Sequence, residues 1–215
     1  MRRLFLVVLL LALAATVAVQ AEGKFGFGLW EGQRSIGVMS QYYSASTLSV
    51  LEGGVYIHWE GVQNLALRAQ ISYLKGNASY SNWGNVGFTY EDKFDLVGFP
   101  IQFNVLPSFH IGDRAIIRAG GGLSYYKLSA KETYTSAGNS SSTPQYGVTG
   151  LGGQLLLTAE GKLNSNIGLE AQYERGTAKL SYSYTWTPPY YQNSSYKESS
   201  GAITEAFRLG LAFHF

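Results

Sequence analysis

The chain has 215 residues, with 16 basic and 14 acidic side chains, and it has no cysteine, so no disulfide framework holds it together. Two of the bases, Arg2 and Arg3, belong to the opening stretch MRRLFLVVLLLALAATVAVQA. Without that stretch the count is 14 against 14, which leaves no basic excess to argue for the clustered positive surface that nucleic acid requires.

The opening stretch is apolar from Leu4 to Val19 apart from Thr16, and Val19 and Ala21 precede the charged Glu22. This predicts a secretory signal over residues 1–21, cut after Ala21, and one mature domain over 22–215. The alternative is a single spanning helix, for which the run is nearly long enough. Beyond it no apolar run could cross a bilayer as a helix, although the chain holds 16 Tyr, 11 Phe and 26 Gly. Strands that place only every second residue in lipid have this composition.

The first strands are the least sharply bounded. KFGFGLW and SIGVMSQYY lie on or flank one long first strand, and GGVYIHW supplies the second. The third is clear: in LALRAQISY, Leu65, Leu67, Ala69, Ile71 and Tyr73 alternate with Ala66, Arg68, Gln70 and Ser72. In DLVGFPIQFNV an apolar row from Val97 to Val105 faces away from Gly98, Pro100, Gln102 and Asn104; Pro100 predicts a bulge or local irregularity. AIIRAGGGLSY (115–125), VTGLGGQLLLTAE (148–160) and IGLEAQYE (167–174) continue the series. FRLGLAFHF closes it, with Phe207, Leu209, Leu211, Phe213 and Phe215 opposite Arg208.

Eight strands result. The connections WEGVQN, LPSFHIGDR and EGKLNSN are short, whereas 40–50, 75–92, 128–146 and 175–201 are longer and rich in Ser, Asn, Tyr, Gly and Thr. Short turns at one end and long loops at the other are the pattern of an outer-membrane barrel. In hydrocarbon an unpaired strand edge is too costly to persist, so the first strand is expected to pair with the last. Nine residues at about 3.3 Å each, tilted by about 40°, cross roughly 23 Å, close to the apolar band of such barrels.

The signal, the eight alternating strands and a last strand with a terminal aromatic residue resemble the small Gram-negative outer-membrane barrels, the class of the OmpA transmembrane domain, OmpX and OmpW. The resemblance implies an all-β, up-and-down antiparallel transmembrane barrel in the cell outer membrane. It also implies a monomer, with membrane lipid and lipopolysaccharide as surroundings and the barrel-assembly machinery as a partner during biogenesis. In that class the last strand is the signal that the machinery reads, a role carried here to Phe207, Leu209, Leu211, Phe213 and Phe215.

The row opposite the lipid is expected to be a plug. Arg68, Arg118 and Glu170 each follow a short turn by about four residues, which places them at one depth. Gln70, Gln172, Glu174 and Arg208 join them, with Gln102, Asn104 and Gln154. Confined charges need partners, so a structural ion-pair network is the expectation and a narrow pore the alternative. Polar side chains in this row also separate the chain from lipocalins, whose barrels hide their apolar row inside.

Catalysis is not expected. Lipopolysaccharide-modifying barrels need a base near the outer leaflet, whereas His58, His110 and His214 all fall at the short-turn end. No cofactor or metal is implied, and the glycine clusters 120–122 and 152–153 mark strand bends or bulges, since no phosphate-loop sequence follows them. Trp30, Trp59, Tyr73 and Tyr125 suit the aromatic girdles at the membrane surfaces. In the last loop Tyr182, Tyr184, Trp186, Tyr190, Tyr191 and Tyr196 alternate with Ser, Thr and Asn, the composition of adaptable recognition surfaces, which suits a host or surface ligand; the alternative is a solvated or lipopolysaccharide-facing loop with no specific partner. The resulting expectation is a structural or adhesin-like role, with an OmpW-like channel for small apolar solutes as the alternative and a lipid-modifying enzyme third.

Overall fold

In the computed structural model the described residues are 24–39, 46–62, 64–83, 89–136, 139–142, 146–186 and 194–215, so the predicted signal lies outside them. They form β1 (Lys24–Met39), β2 (Ser46–Val62), β3 (Leu65–Trp83), β4 (Thr89–Ile111), β5 (Ala115–Ser136), β6 (Asn139–Ser142), β7 (Tyr146–Lys162), β8 (Ile167–Trp186) and β9 (Ser194–His214). Every long strand pairs antiparallel with its chain neighbours, and β1 pairs with β9, which closes an eight-stranded barrel. The ninth strand, β6, is a short extra that pairs with Thr133–Ser136 beyond the barrel wall.

Closure is tilted. Following register partners from Leu29 through Val55, Ile71, Ile101, Tyr125, Leu151, Lys179 and Gly201 leads back to β1 at Met39, ten residues further along (29 to 39). Strands must tilt and stagger in this way to close, and eight of them leave an interior that side chains just fill. The seam is reinforced by Phe27, whose ring stacks on Phe213 at 4.7 Å and lies 5.8 Å from Phe215.

The alternation read from sequence sets the two faces. Leu67, Ile71 and Tyr73 point outward while Ala66, Arg68, Gln70 and Ser72 are buried inside, and β4, β5, β7, β8 and β9 repeat the arrangement. An exposed apolar face running round a whole barrel is unstable in water and suited to lipid.

Several details differ from expectation. At Pro100 the expected irregularity takes the form of a local lapse in pairing opposite Ser72 and Tyr73 and not of a bulge, since the β3–β4 register is the same on either side of it. The register shift lies instead between Trp59 and Val62, at the end of β2. Gly120 and Gly122 carry no shift either; a Cβ at Gly122 would stand 2.0 Å from the Phe103 carbonyl oxygen, so these glycines let two strands approach closely. Trp30 is no girdle residue. Even-numbered residues of β1 face inward, and Trp30 is buried against Arg208. Tyr73 and Tyr125 do sit outward, and Trp59 is half-buried.

The largest difference concerns the predicted long loops. β3, β4, β5 and β9 continue as paired strands far into those stretches, and β8 runs on through Leu180–Trp186, where a prolonged hairpin is expected from the sequence. The reason is a change of phase along the strands. Up to Tyr73 and Tyr125 the apolar residues point outward; beyond them Leu74, Leu96, Leu128, Ala130, Ala178 and Leu180 point inward, and the outward positions become Lys75, Asp95, Lys127, Lys131 and Lys179. Below this level the outside is greasy and the inside polar; above it the outside is wetted and the inside is an apolar core of Ile36, Leu48, Val50, Leu74 and their neighbours. The barrel thus carries a water-soluble type of core beyond the membrane, at its long-loop end.

Candidate functional site

The lumen beneath that core is filled by charge in two layers. In the upper layer four strands contribute a closed ring of alternating sign. Arg34 (β1) donates from Nε to Glu52 (β2) at 2.9 Å and from a terminal nitrogen to Glu174 (β8) at 2.8 Å. Arg208 (β9) donates to the other oxygens of the same two carboxylates, each at 2.6 Å. All four side chains are fully buried. The glycines of β1 make the room: a Cβ at Gly32 would lie 2.9 Å from the Arg208 side chain, and one at Gly28 would collide with the Tyr56 ring.

Amides extend the ring sideways. Gln102 donates to Glu174 at 2.9 Å and to Gln154 at 2.7 Å; Gln154 donates to Asn104 at 2.8 Å, and Gln70 donates to Gln102. Aromatic faces take the remaining sides of the cations: Trp30 lies under Arg208 at 4.4 Å and Tyr56 under Arg68 at 3.9 Å.

The lower layer, toward the short turns, centres on Arg68 and Arg118. Arg68 forks onto both oxygens of Glu170 at 3.0 and 2.7 Å. Arg118 reaches Glu60 and Glu160 at 2.9 Å each and stands 3.7 Å from Glu170. The structure therefore brings Arg68, Arg118 and Glu170 to one level. Gln172 links the layers, donating to Glu170 at 2.6 Å and accepting from Arg208 at 3.4 Å. His214 meets Glu160 at 2.5 Å at the rim, with the His58 ring 5.4 Å away.

Arg34, Glu52, Glu60 and Glu160 were not among the residues predicted for this network. Glu160 was legible, since it shares the inward row of Gln154. Arg34 was hidden because Glu31, Gln33 and Ser35 beside it break the apolar alternation that would reveal its face.

Chemically the lumen is occupied: its charges are paired, while some buried polar atoms, among them Arg34 Nη2, Arg68 Nε, Gln70 Oε1 and Asn104 Nδ2, have no hydrogen-bond partner among the described residues. Each carboxylate of the ring already receives two cations, one on each oxygen, an arrangement that holds a structure. His58 and His214 lie inside the short-turn end, and His110 is exposed at the end of β4. Among the described residues no group of three or more potential ligands is placed to hold a metal. In planar bilayers the expected result is little or no steady current; large, sustained single-channel openings would show that the plug yields a path.

The predicted recognition residues divide. Tyr182 is half-buried against the apolar core. Tyr184, Trp186 and Tyr196 fall on the paired ends of β8 and β9, with Tyr184 directly opposite Tyr196, where only the backbone is described. Tyr190 and Tyr191 lie outside the described residues.

No protein-family model matches the chain. Nor does any curated protein sequence. Among solved structures it is similar to a major outer membrane protein of Thermus thermophilus, at 14% identity and a TM-score of 0.54, covering 89% of this chain and 99% of that one. Neisserial surface protein A gives 11% identity and a TM-score of 0.49 over 88% and 97%. OprG of Pseudomonas aeruginosa gives 13% and 0.45 over 91% and 97%. With its lipid-suited outer belt, charge-filled lumen and seam between first and last strands, the chain is a closed eight-stranded antiparallel barrel with the fold of the outer-membrane β-barrel proteins.

Proposed function

We propose that the chain is a non-catalytic outer-membrane barrel, exported through a signal over residues 1–21, that presents a rigid hairpin platform for binding at the cell surface. The observation that carries this reading is the apolar core inside the projecting ends of the strands. A plain membrane plug needs no such core. Burying Leu48, Leu74, Leu96, Leu128 and Leu180 there stiffens the extensions, and rigid strands hold a binding constellation better than loops do. The orientation follows outer-membrane practice, with short turns in the periplasm and long hairpins outside. The outward row of β9, from Phe207 to Phe215, then serves as the mark read during assembly.

The ligand side falls to the β8–β9 hairpin, whose register sets Tyr184 opposite Tyr196. Cells displaying the barrel are to be screened against matrix, complement and lipopolysaccharide components, with and without replacement of 182–196 by a short Gly/Ser turn. Loss of binding with retained surface display is the expected result. Unchanged binding removes this hairpin from the function.

A further inference from the structure

The lipid-facing belt is uneven. Its outward apolar run covers eleven residues on β5 (Ala115–Tyr125) but only five on β1 (Phe25–Leu29), on the opposite side of the barrel. At about 2.5 Å of vertical rise per tilted residue these are about 28 Å and about 12 Å. Immediately above the short run, β1 turns Glu31 and Gln33 outward.

Glu31 lies well inside the belt. A closing stagger of ten residues over eight strands makes residues of equal height drift by about 1.25 residues per strand. With that drift removed, Glu31 is level, to within about one residue, with Phe103, Leu123, Leu155 and Phe207. Those four expose 62, 70, 69 and 58% of their surface and form the greasiest part of the wall. Glu31 is exposed too, between Gly53 and Leu209, and among the described residues it makes no ion pair.

A charge turned toward hydrocarbon is costly and calls for a partner. Two strands away on the same side, Arg175 of β8 also faces outward beside the belt, held to Glu205 of β9 at 3.4 Å and mostly exposed. The patch therefore carries Glu31, unpaired among the described residues, on its β1 flank and Arg175 on its β8 flank, with Glu205 of the intervening β9 already sharing the Arg175 charge.

We propose that this chain pairs with a second copy of itself through the β8–β9–β1 face, in place of the monomer expected from sequence. A two-fold axis along the membrane normal and over β9 sets β8 of each copy against the partner's β1. Arg175 then meets the partner's Glu31, about 4 Å apart in height, and the contact occurs twice because the interface is isologous. The charge complementarity selects a copy of this chain, since the same small patch carries both members of the pair. The inference rests on the belt facing lipid.

The absence of cysteine makes the test clean. Ile203→Cys places a thiol on β9 near the proposed axis, and Leu123→Cys places one on the far wall. In reconstituted vesicles, oxidation is expected to give a cross-linked dimer from the first and not from the second. E31R and R175E should each weaken association by about tenfold or more, and the double reversal should restore it. Folding of each variant is checked by heat-modifiable migration. Should E31R alone fail to fold, R175E and Glu31→Gln carry the test, and both must weaken the dimer. Folded, inserted protein that stays monomeric, equal cross-linking on both walls, or no rescue by the double reversal overturns the proposal and leaves a locally thinned bilayer as the account of the low belt. Failure of the unaltered barrel to insert would instead count against the membrane reading itself.

Discussion

Glu174→Leu is expected to cost about 3–5 kcal/mol of unfolding free energy, because it leaves buried cations without their counter-charge. Glu174 bridges Arg34 and Arg208 and also accepts from Gln102, so one substitution orphans donors on three strands. Each arginine keeps its bond to Glu52, and that carboxylate must then serve two cations alone. Urea titration in detergent micelles measures the loss; a change below about 1 kcal/mol would show that the ring does not hold the barrel together. A second variant separates charge imbalance from lost packing. Replacing Arg34, Glu52, Glu174 and Arg208 together by apolar residues of similar volume is expected to recover much of the stability, since a buried ionic cluster removed whole leaves no unpaired charge.

The second large effect is expected in the projecting core. Leu74 is fully buried there, and Leu74→Ala should cost about 2–5 kcal/mol through lost transfer energy and the cavity left behind. Its neighbour Lys75 points outward, and Lys75→Ala should change stability by no more than about 0.5 kcal/mol. The loss at Leu74 should also be local. Amide exchange is expected to rise in the extensions of β3 and β4 above the belt while Leu65–Ile71 stays protected. Equal loosening throughout the barrel would mean that the core and the belt form one cooperative unit.

Much of the architecture can be read in the residues, and the failures have physical causes. LALRAQISY and FRLGLAFHF show their faces because a lipid-exposed row admits few polar residues, so alternation there is strict. Arg68, Arg118 and Glu170 can be set at one depth because the short turns below them are of similar length. The first strand is obscured by Glu31 and Gln33, which put polar residues on the face that elsewhere is apolar; Arg34 and Glu52, half of the central ring, are hidden with it. The strand extensions read as loops because the apolar residues change face near Tyr73 and Tyr125. That change looks like the end of a pattern, but it records a change of solvent outside the wall.

The sequence by itself determined the number of long strands, the face that β3, β4, β5, β7, β8 and β9 turn to lipid, and the presence of a charged interior. Alternation is a local property, fixed by the geometry of the strand and the solvent on either side. Only the tertiary structure decided which carboxylate meets which arginine, because those partners are as much as 156 residues apart and meet through barrel closure. It also decided that Glu31 lies deep in the belt, since height in a tilted barrel depends on the stagger of all eight strands, and no single strand encodes it.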